Sequence, residues 1–350
     1  MNFFAQLFNF GNKNKKFICP GAFSQVYIYY DGRVFLCPDC YMSPEAQIGN
    51  LNEQTFDEIW NSERAVLIRE NAKNMIYSHC AVRECHVKTN YHIRVMPSEG
   101  IDFSVKQRKY PKMVCVGPDW ECNANCIMCR PSLSRLSDEE LSKFNEKIEK
   151  WYLPILKDAK ELTLSTTSDP FGSRNTRLLM KRASEKYPKL KFNIMTNGIL
   201  CDKYNCEQTG IWDRMGRIMF SVHASNQEVY DKVVKNGNFE KMCENLKLMS
   251  ELKSEGKIKA LYLGFVISSK NYHDIPSFCE FARVNNAVAL FWMCRDWGGN
   301  LANSDEQLEV WKREHPKFKE LQKVLRSISS LDTDYSCFNP YLKYIRDNDF

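Results

Sequence analysis

The stretch Asp119-Trp-Glu-Cys-Asn-Ala-Asn-Cys-Ile-Met-Cys-Arg130 places Cys122, Cys126 and Cys129 in C-x3-C-x2-C spacing. It follows Met113–Val116, a short apolar run typical of a buried strand. Three thiolates can hold three irons of a cubane 4Fe–4S cluster and leave the fourth iron open to a ligand. A zinc knuckle is the alternative, but it requires a fourth Cys or His, and none follows within the loop. The spacing therefore predicts an iron–sulfur cluster with one open position.

The composition agrees with reduced thiols that serve metal sites. Fifteen cysteines is an odd number, and several lie at ligand spacings, which favours metal binding over a disulfide framework. The net charge of +6 is spread along the 350 residues, so nucleic-acid binding is not indicated. The sequence contains no run of about 18 apolar residues, so no membrane span is expected. The apolar start, Met1–Phe10, lacks the order of a signal peptide, so we expect a cytoplasmic protein.

Residues from about 105 to about 300 alternate short apolar runs with longer amphipathic ones. The clearest helix signal is Ser137–Tyr152, which begins with a capping box and has Pro154 just past its end. This alternation implies parallel strands with crossover helices, as a partial barrel or an open doubly wound sheet. The predicted strands are Met113–Val116, Glu161–Leu164, Lys191–Met195, Ile218–Val222, Lys259–Ile267 and Val288–Met293, and the other predicted helices are Asn238–Leu252 and Tyr272–Val284.

The cysteine loop is similar to the signature of the radical S-adenosylmethionine (radical SAM) superfamily, and the likeness extends over nearly the whole middle region. The resemblance implies an α/β fold: a partial (β/α)6 TIM-like barrel with a small N-terminal cysteine-rich β-hairpin/helix module. It also implies that Cys122, Cys126 and Cys129 hold the catalytic 4Fe–4S cluster and that S-adenosylmethionine binds its open iron. An external one-electron reductant of the flavodoxin or ferredoxin type would start the reaction, giving a 5′-deoxyadenosyl radical that abstracts hydrogen from a substrate carbon.

The same resemblance implies a set of cofactor-binding residues. Relatives carry a GGE-like or GDP-like motif after the second strand, and here Asp169 and Pro170 match it, although Thr166 and Ser168 stand where glycines are common. A helix N-cap is the alternative role for Asp169, and a core position is the alternative for His223. The implied cofactor-binding residues are Met128, Asp169, Pro170, Thr196, Asn197, Ser221 and His223.

A second cysteine group lies in the N-terminal region. The alternation over Tyr27–Leu36, with Asp31-Gly32 at the turn, predicts a β-hairpin, and Phe56–Ala72 reads as a helix. This region resembles the SPASM/twitch auxiliary-cluster module of radical SAM enzymes, although it precedes the barrel here. The resemblance implies a second 4Fe–4S cluster, and four-cysteine zinc is the alternative. The candidate ligands are Cys19, Cys37, Cys80 and Cys85, with Cys40 as a substitute and His79 and His86 as weaker choices.

Substrate contacts are expected in the loop after the last predicted strand. Our candidates there are Arg295, Asp296 and Trp297, and a packed loop is the alternative. The resemblance favours a sugar or another small hydroxylated molecule that is oxidised or rearranged. A ribosomal peptide substrate is one alternative, and a non-catalytic iron–sulfur electron carrier or sensor is another. The expected domains are 1–100 for the auxiliary module, 101–300 for the barrel and 301–350 for a helical, aromatic tail.

Overall fold

The computed structural model describes residues 18–37, 44–79, 101–129, 132–133, 135–164, 167–295, 307–330, 332–338 and 340–349. The chain divides into two compact units, and the division falls between Cys115 and Val116. The first unit contains the predicted hairpin, and the second contains the three-cysteine loop.

A short helix and a β-hairpin open the described part of the first unit. The elements are α1 Gly21–Ser24, β1 Gln25–Ile28, β2 Arg33–Phe35 and β3 Gln47–Asn50. Strand β2 pairs antiparallel with both β1 and β3. Gly32 has a φ of +91°, a conformation that costs glycine little because it has no Cβ. The hairpin predicted from Asp31-Gly32 is confirmed.

The helix predicted over Phe56–Ala72 is wrong in one respect, because the structure has two helices there. They are α2 Phe56–Trp60 and α3 Glu63–Lys73. Thr55 caps α2 in a capping box with Glu58, and the Ser62 side chain accepts a hydrogen bond from the Ala65 amide. Ser62 therefore starts a second helix, since its hydroxyl satisfies an amide that a continuous helix would have paired internally.

Arg69, on α3, links several segments of the first unit to one another through hydrogen bonds. Its guanidinium is fully buried and donates to the carbonyl oxygens of Ala22, Trp60 and Val105 at 3.0, 2.9 and 3.1 Å. It also lies over the Trp60 ring at 4.3 Å. Burial lowers the pKa of Arg69 to about 10, so it stays charged at neutral pH. Three segments far apart in sequence are thereby joined by one cation.

The second unit is built on parallel strands. The remaining strands are β4 Met113–Val116, which spans the division between the units, β5 Asn125–Cys126, β6 Glu161–Leu164, β7 Lys191–Thr196, β8 Met215–Ser221, β9 Val234–Lys235, β10 Ala260–Ile267, β11 Val288–Met293 and β12 Ser336–Phe338. Strands β6, β7, β8, β10, β11 and β12 follow one another in the sheet, each parallel to the next.

The order of these strands decides between the two arrangements that the sequence leaves open. In a doubly wound sheet the first strand lies in the middle, and the order in which later strands are added across the sheet then reverses. In this protein the parallel strands of the second unit lie side by side in the same order as they occur in the sequence, which is the strand order of a barrel. The fold is a partial TIM-like barrel.

The predicted strands agree closely with the observed ones. Glu161–Leu164 and Val288–Met293 are confirmed to the residue. The sequence reading missed β12, because a three-residue strand in an aromatic tail carries too few alternations to be recognised. The structure therefore adds a parallel strand beyond the predicted units.

Helices connect the strands of the second unit. They are α4 Asp138–Lys147, α5 Leu153–Ile155, α6 Arg174–Lys186, α7 Lys203–Gln208, α8 Gln227–Val233, α9 Phe239–Ser254, α10 Ile275–Val284, α11 Phe318–Ser327 and α12 Pro340–Asp347. The capping box at Ser137 is confirmed. The prediction that Pro154 lies past the helix end is wrong, because a π-helical turn and α5 continue the helix. Pro154 is the second residue of α5 and directly follows the π-helical turn, a local irregularity of the kind that accompanies proline inside a helix.

The parallel strands bring several loops to one edge. The loops after β4, β6, β7 and β8 leave the carboxyl ends of their strands, where barrel enzymes place their active sites. Most of the candidate cofactor residues lie in these loops. Among the described residues, no helix is both long and apolar enough to cross a bilayer.

Candidate active site

The three-cysteine loop follows β4 and is fastened at its middle by a two-stranded ribbon. Cys126 in β5 pairs antiparallel with Val234 in β9, and the Ile127 amide donates to the Val233 carbonyl at 3.0 Å. The Cys129 amide donates to the Cys126 carbonyl at 2.9 Å, which folds the second half of the loop into a turn. The segment after α8 therefore supports the loop from outside its own sequence. All three cysteines are half-buried.

A buried ion pair holds the residue that precedes Cys122. The Glu121 side chain is only 4% exposed and accepts from Arg174 at 2.6 Å, and it also accepts from the Leu136 amide at 3.0 Å. Burial by itself would raise the pKa of Glu121, but the hydrogen bonds from Arg174 outweigh it and hold that pKa below its usual range. Glu121 is thus a fixed carboxylate that ties the loop to the start of α6.

Asp119 makes a second link to the same helix. Its carboxylate accepts from the Glu121 amide at 2.9 Å and from the Ser173 hydroxyl at 2.7 Å. Ser173 is the N-cap of α6, and its hydroxyl oxygen accepts from the Thr176 amide. The Thr167 hydroxyl donates to the Asp119 carbonyl at 2.6 Å. Sequence reasoning missed this network, since its members come from two loops and a helix start.

Asp169, in the loop after β6, is buried, and its carboxylate accepts hydrogen bonds from other groups of the protein. One oxygen accepts from the Phe171 and Gly172 amides, both at 3.0 Å. The other accepts from the Thr196 hydroxyl at 2.7 Å and the Asn197 amide at 2.8 Å. A carboxylate offers about four acceptor positions, so these four bonds use its capacity. A direct contact of Asp169 with a cofactor stays a prediction, and the geometry favours the backbone of this loop as the partner.

The loop after β6 also approaches the cysteine loop very closely. A Cβ atom on Gly172 would lie 2.8 Å from Asn123 Oδ1 and 3.0 Å from the Asn123 amide nitrogen. Only glycine permits that approach without displacing the cysteine loop. Pro170, beside Asp169, is buried. Ser168 is buried as well, and Thr166 lies outside the described residues.

Asn197 connects the end of β7 to the cysteine loop. Its side-chain amide nitrogen donates to Asn123 Oδ1 at 2.8 Å and lies 3.8 Å from Cys122 Sγ. Gly198 follows with a φ of +84°, and a Cβ there would lie 2.5 Å from the Phe220 ring. The turn at Thr196-Asn197-Gly198 thus aims a hydrogen-bond donor at a predicted cluster ligand.

His223 lies just past β8 in an unusual conformation. Its φ is +64°, which is uncommon outside glycine and is found most often at functional or strained positions. Its Nδ1 accepts from the Val266 amide at 3.1 Å, so the neutral ring carries its proton on Nε2. Burial lowers the pKa of His223 to about 4, which keeps the ring neutral at pH 7. Ser221, two residues earlier, is half-buried at the end of β8.

The remaining candidates are placed as follows. Met128 is buried within the cysteine loop. Arg295, just past β11, lies over the Trp311 ring at 5.5 Å, and the Trp311 indole donates to the Cys294 carbonyl. Arg295 therefore packs against an aromatic side chain, and its role in substrate binding stays a prediction. Asp296 and Trp297 lie outside the described residues, so their substrate role stays a prediction.

The N-terminal module is described in part. Cys19 and Cys37 are half-buried, whereas Cys40, Cys80 and Cys85 lie outside the described residues, as does His86. The Cys19 amide donates to the Tyr77 hydroxyl at 3.2 Å. Tyr77 precedes Cys80 by three positions, so the chain just before the predicted cysteine pair returns to Cys19. His79 is buried.

The donor set of the three-cysteine loop suits a cubane better than a single ion. The thiolates of a cubane each bind a different iron, so three of them suffice and leave the fourth iron open, whereas a zinc knuckle needs a fourth protein ligand on one atom. Three soft sulfur ligands in one loop fit an iron–sulfur group.

Two family models match this chain. The model of the radical SAM superfamily matches residues 121–282, which include the three-cysteine loop and most of the barrel. This part of the chain is a radical SAM domain. A second model, for an iron–sulfur cluster-binding domain named SPASM, matches residues 19–86. The radical SAM match implies a 4Fe–4S cluster and S-adenosylmethionine as cofactors, and the SPASM match implies auxiliary iron–sulfur chemistry in the first unit.

A curated relative and several solved structures are similar to this chain. The FeMo cofactor biosynthesis protein NifB of Methanocaldococcus infernus is 28% identical over 159 residues, which cover 42% of this chain and 52% of that protein. The chain thus spans about half the length of this relative.

The solved structures include SuiB of Streptococcus suis bound to S-adenosylmethionine and anSMEcpe bound to AdoMet and a peptide. SuiB has a TM-score of 0.46 and 15% identity, and the match covers 81% of this chain and 60% of SuiB. For anSMEcpe the TM-score is 0.40 and the identity 16%, with 61% and 58% of the two chains covered. Likeness at this level carries no conclusion about activity.

Proposed function

We propose that this protein is a radical SAM enzyme that cleaves S-adenosylmethionine reductively and removes a hydrogen atom from a substrate carbon. One observation carries the proposal: three thiols in C-x3-C-x2-C spacing lie in the loop after β4, at the carboxyl end of a barrel strand. Barrel enzymes place their active sites at that edge, and Asp169, Asn197 and His223 lie past the ends of three other barrel strands.

Cys122, Cys126 and Cys129 would hold the catalytic cluster as thiolates. When bound, this cluster and S-adenosylmethionine together supply a 5′-deoxyadenosyl radical after the arrival of one electron from an outside donor of the flavodoxin or ferredoxin type. Other parts of the protein hold the three-cysteine loop in position. Glu121 anchors its start through Arg174, and the β5–β9 ribbon anchors Cys126.

The residues around the loop would bind and orient S-adenosylmethionine. Met128 offers an apolar surface beside Cys129, suited to the adenine ring. The neutral His223 ring carries an N–H on Nε2 that can donate to a carboxylate or hydroxyl, and Ser221 offers a hydroxyl. The backbone of the loop at Asp169 and Pro170 would meet the amino group, since the Asp169 carboxylate already accepts four bonds. Thr196 and Asn197 hold that loop in place.

The N-terminal module would hold a second 4Fe–4S cluster through Cys19, Cys37, Cys80 and Cys85, with Cys40 as a substitute. Four cysteines and no open position suit an electron-transfer cluster. When bound, such a cluster would supply an acceptor for one electron from the substrate radical, which would make the overall reaction an oxidation. Zinc is the alternative occupant, because four thiolates also suit that ion.

For the substrate we propose a sugar or another small hydroxylated molecule. A carbon that bears a hydroxyl group is left as a radical after hydrogen abstraction, and loss of a proton and one further electron yields a carbonyl. The auxiliary module offers an acceptor for that electron. Arg295, at the carboxyl end of β11, provides a cation at the edge where substrate would bind, and Asp296 and Trp297 follow it in sequence. A ribosomal peptide remains the alternative within the same chemistry.

The test is anaerobic reconstitution followed by an assay for 5′-deoxyadenosine with dithionite and S-adenosylmethionine. We expect about eight irons per chain, as for two 4Fe–4S clusters. Cys126→Ala should abolish 5′-deoxyadenosine formation. Cys279→Ala is a matched control on α10, where burial raises the pKa of the thiol to about 12 and keeps it protonated.

Each outcome separates the alternatives. About four irons with bound zinc would assign the N-terminal module to zinc. A fully loaded protein that forms no 5′-deoxyadenosine with any reductant would overturn the proposal in favour of an electron carrier or sensor. Product formation in Cys126→Ala would place the reactive cluster elsewhere in the chain.

A further inference from the structure

The orientation of the Asn197 side chain is fixed by its neighbours. Its Oδ1 accepts from the Ile199 amide at 3.0 Å, a bond that only the oxygen of the side-chain amide can make. The nitrogen must therefore face the cysteine loop. Its two N–H groups point at Asn123 Oδ1, 2.8 Å away, and at Cys122 Sγ, 3.8 Å away. The oxygen and both N–H groups of this side-chain amide therefore have hydrogen-bond partners.

The backbone of Asn197 is held equally firmly. Its amide donates to the buried Asp169 carboxylate at 2.8 Å, and Thr196 donates to the same oxygen at 2.7 Å. The turn that follows is supported by Asn245, which donates to the carbonyls of Gly198 and Ile199. Asn197 is 7% exposed. Water therefore does not compete strongly for its N–H groups, and a rigid donor is presented to Cys122.

We propose that Asn197 is a positioning residue that donates a hydrogen bond to the Cys122 thiolate and thereby raises the reduction potential of the catalytic cluster. This inference rests on the proposed binding of that cluster at Cys122. An N–H donor at a ligating sulfur stabilises negative charge there, and the reduced cluster carries one more negative charge than the oxidised one. Hydrogen bonds to sulfur are among the factors that set iron–sulfur potentials. Low local polarity strengthens the effect.

Two substitutions remove the donor while keeping the shape. Asn197→Asp keeps the acceptor for the Ile199 amide but replaces the donor with an oxygen and adds a negative charge. Asn197→Leu removes the donor without adding charge. Asn193→Ala is the matched control, since Asn193 is a buried asparagine of β7 whose side chain donates to Glu161 and Thr163.

The measurement is an anaerobic redox titration of the reconstituted protein, followed by electron paramagnetic resonance. The signal to follow is the one that changes on addition of S-adenosylmethionine, because an auxiliary cluster without an open iron does not respond. For Asn197→Asp we expect about a tenfold lower ratio of reduced to oxidised cluster at a fixed potential, equivalent to about 59 mV for one electron. Asn197→Leu should shift the ratio in the same direction by a smaller factor, and Asn193→Ala should leave it unchanged.

The failures are distinguishable. A wild-type protein with no signal that responds to S-adenosylmethionine would refute the proposed function. Normal iron content with an unchanged potential in both Asn197 variants would refute this inference and leave the function intact. Loss of the cluster from both variants, with unchanged melting temperature, would assign Asn197 to cluster retention and likewise overturn the tuning role. If one variant misfolds, the other decides.

Discussion

The three-cysteine loop and the N-terminal module are both predicted to bind iron, but they are built differently. The loop carries its three ligands within residues 122–129, whereas the favoured ligands of the module run from Cys19 to Cys85. A local ligand set needs only one loop to be held in shape. A dispersed set needs the whole unit to fold before its ligands can meet. Damage to the scaffold should therefore affect the two sites unequally.

The largest expected effect comes from Arg69, which joins three segments of the first unit. Arg69→Met leaves the buried carbonyls of Ala22, Trp60 and Val105 without their donor. At about 1 kcal/mol for each unsatisfied carbonyl, the free energy of unfolding should fall by about 3 kcal/mol. Urea unfolding checks this, with Lys73→Met, an exposed cation of the same helix, as the control.

The same variant tests the contrast between the two sites. Because the ligands of the module are dispersed, Arg69→Met should lower the auxiliary iron content more than the signal of the three-cysteine loop. Equal loss of both would show that the two sites depend on one scaffold. A variant as stable and as rich in iron as Lys73→Met would show that Arg69 does not hold the first unit together.

Local signals account for what the sequence predicted well. The capping box of Ser137 and Glu140 and the turn at Asp31-Gly32 each lie within a few residues, and both are present in the structure. Such patterns depend on backbone geometry alone, so no tertiary structure is needed to recognise them.

Long-range contacts account for what was missed. Arg174 pairs with Glu121 across 53 positions, and Asn197 reaches Cys122 across 75. Neither pair has a sequence signature, because an arginine at a helix start and an asparagine in a turn are common. The family likeness pointed to Asp169 and Asn197 as residues of the site, but only the structure revealed that Asp169 bonds to Asn197.

Arg174 gives the next largest effect, on the side of the three-cysteine loop. Arg174→Met leaves the buried Glu121 carboxylate without its cation. Because the Glu121 side chain is buried while the Arg174 side chain is 48% exposed to solvent, we expect a loss of stability smaller than that of Arg69→Met. Denaturant unfolding checks the loss, and Arg182→Met, an exposed arginine of α6, is the control. Iron bound by the loop should be released faster to a chelator. Release at the wild-type rate would mean that the β5–β9 ribbon alone holds the loop.

The smallest effect concerns pH and His223, at the edge of the barrel. Burial lowers the pKa of His223 to about 4, against about 6.5 in the unfolded chain. Between these values the unfolded state binds the extra proton, so the stability contributed by the neutral ring is present above pH 6.5 and is lost as the pH falls towards 4. From pH 7 to pH 5.5 the loss should be about 1 kcal/mol.

His223→Asn isolates this contribution. Asparagine tolerates the positive φ at this position but does not titrate, so the difference in unfolding free energy between wild type and variant should shrink, or reverse in favour of the variant, as the pH falls. The comparison uses the slope of the unfolding free energy against pH in each protein, because the contributions of the other titrating groups are the same in both and cancel. Parallel slopes for the two proteins from pH 7 to 5.5 would mean that His223 becomes protonated in the folded protein. The ring would then be a cation near pH 6, and its proposed role as a neutral donor to S-adenosylmethionine would have to be replaced by an ionic one.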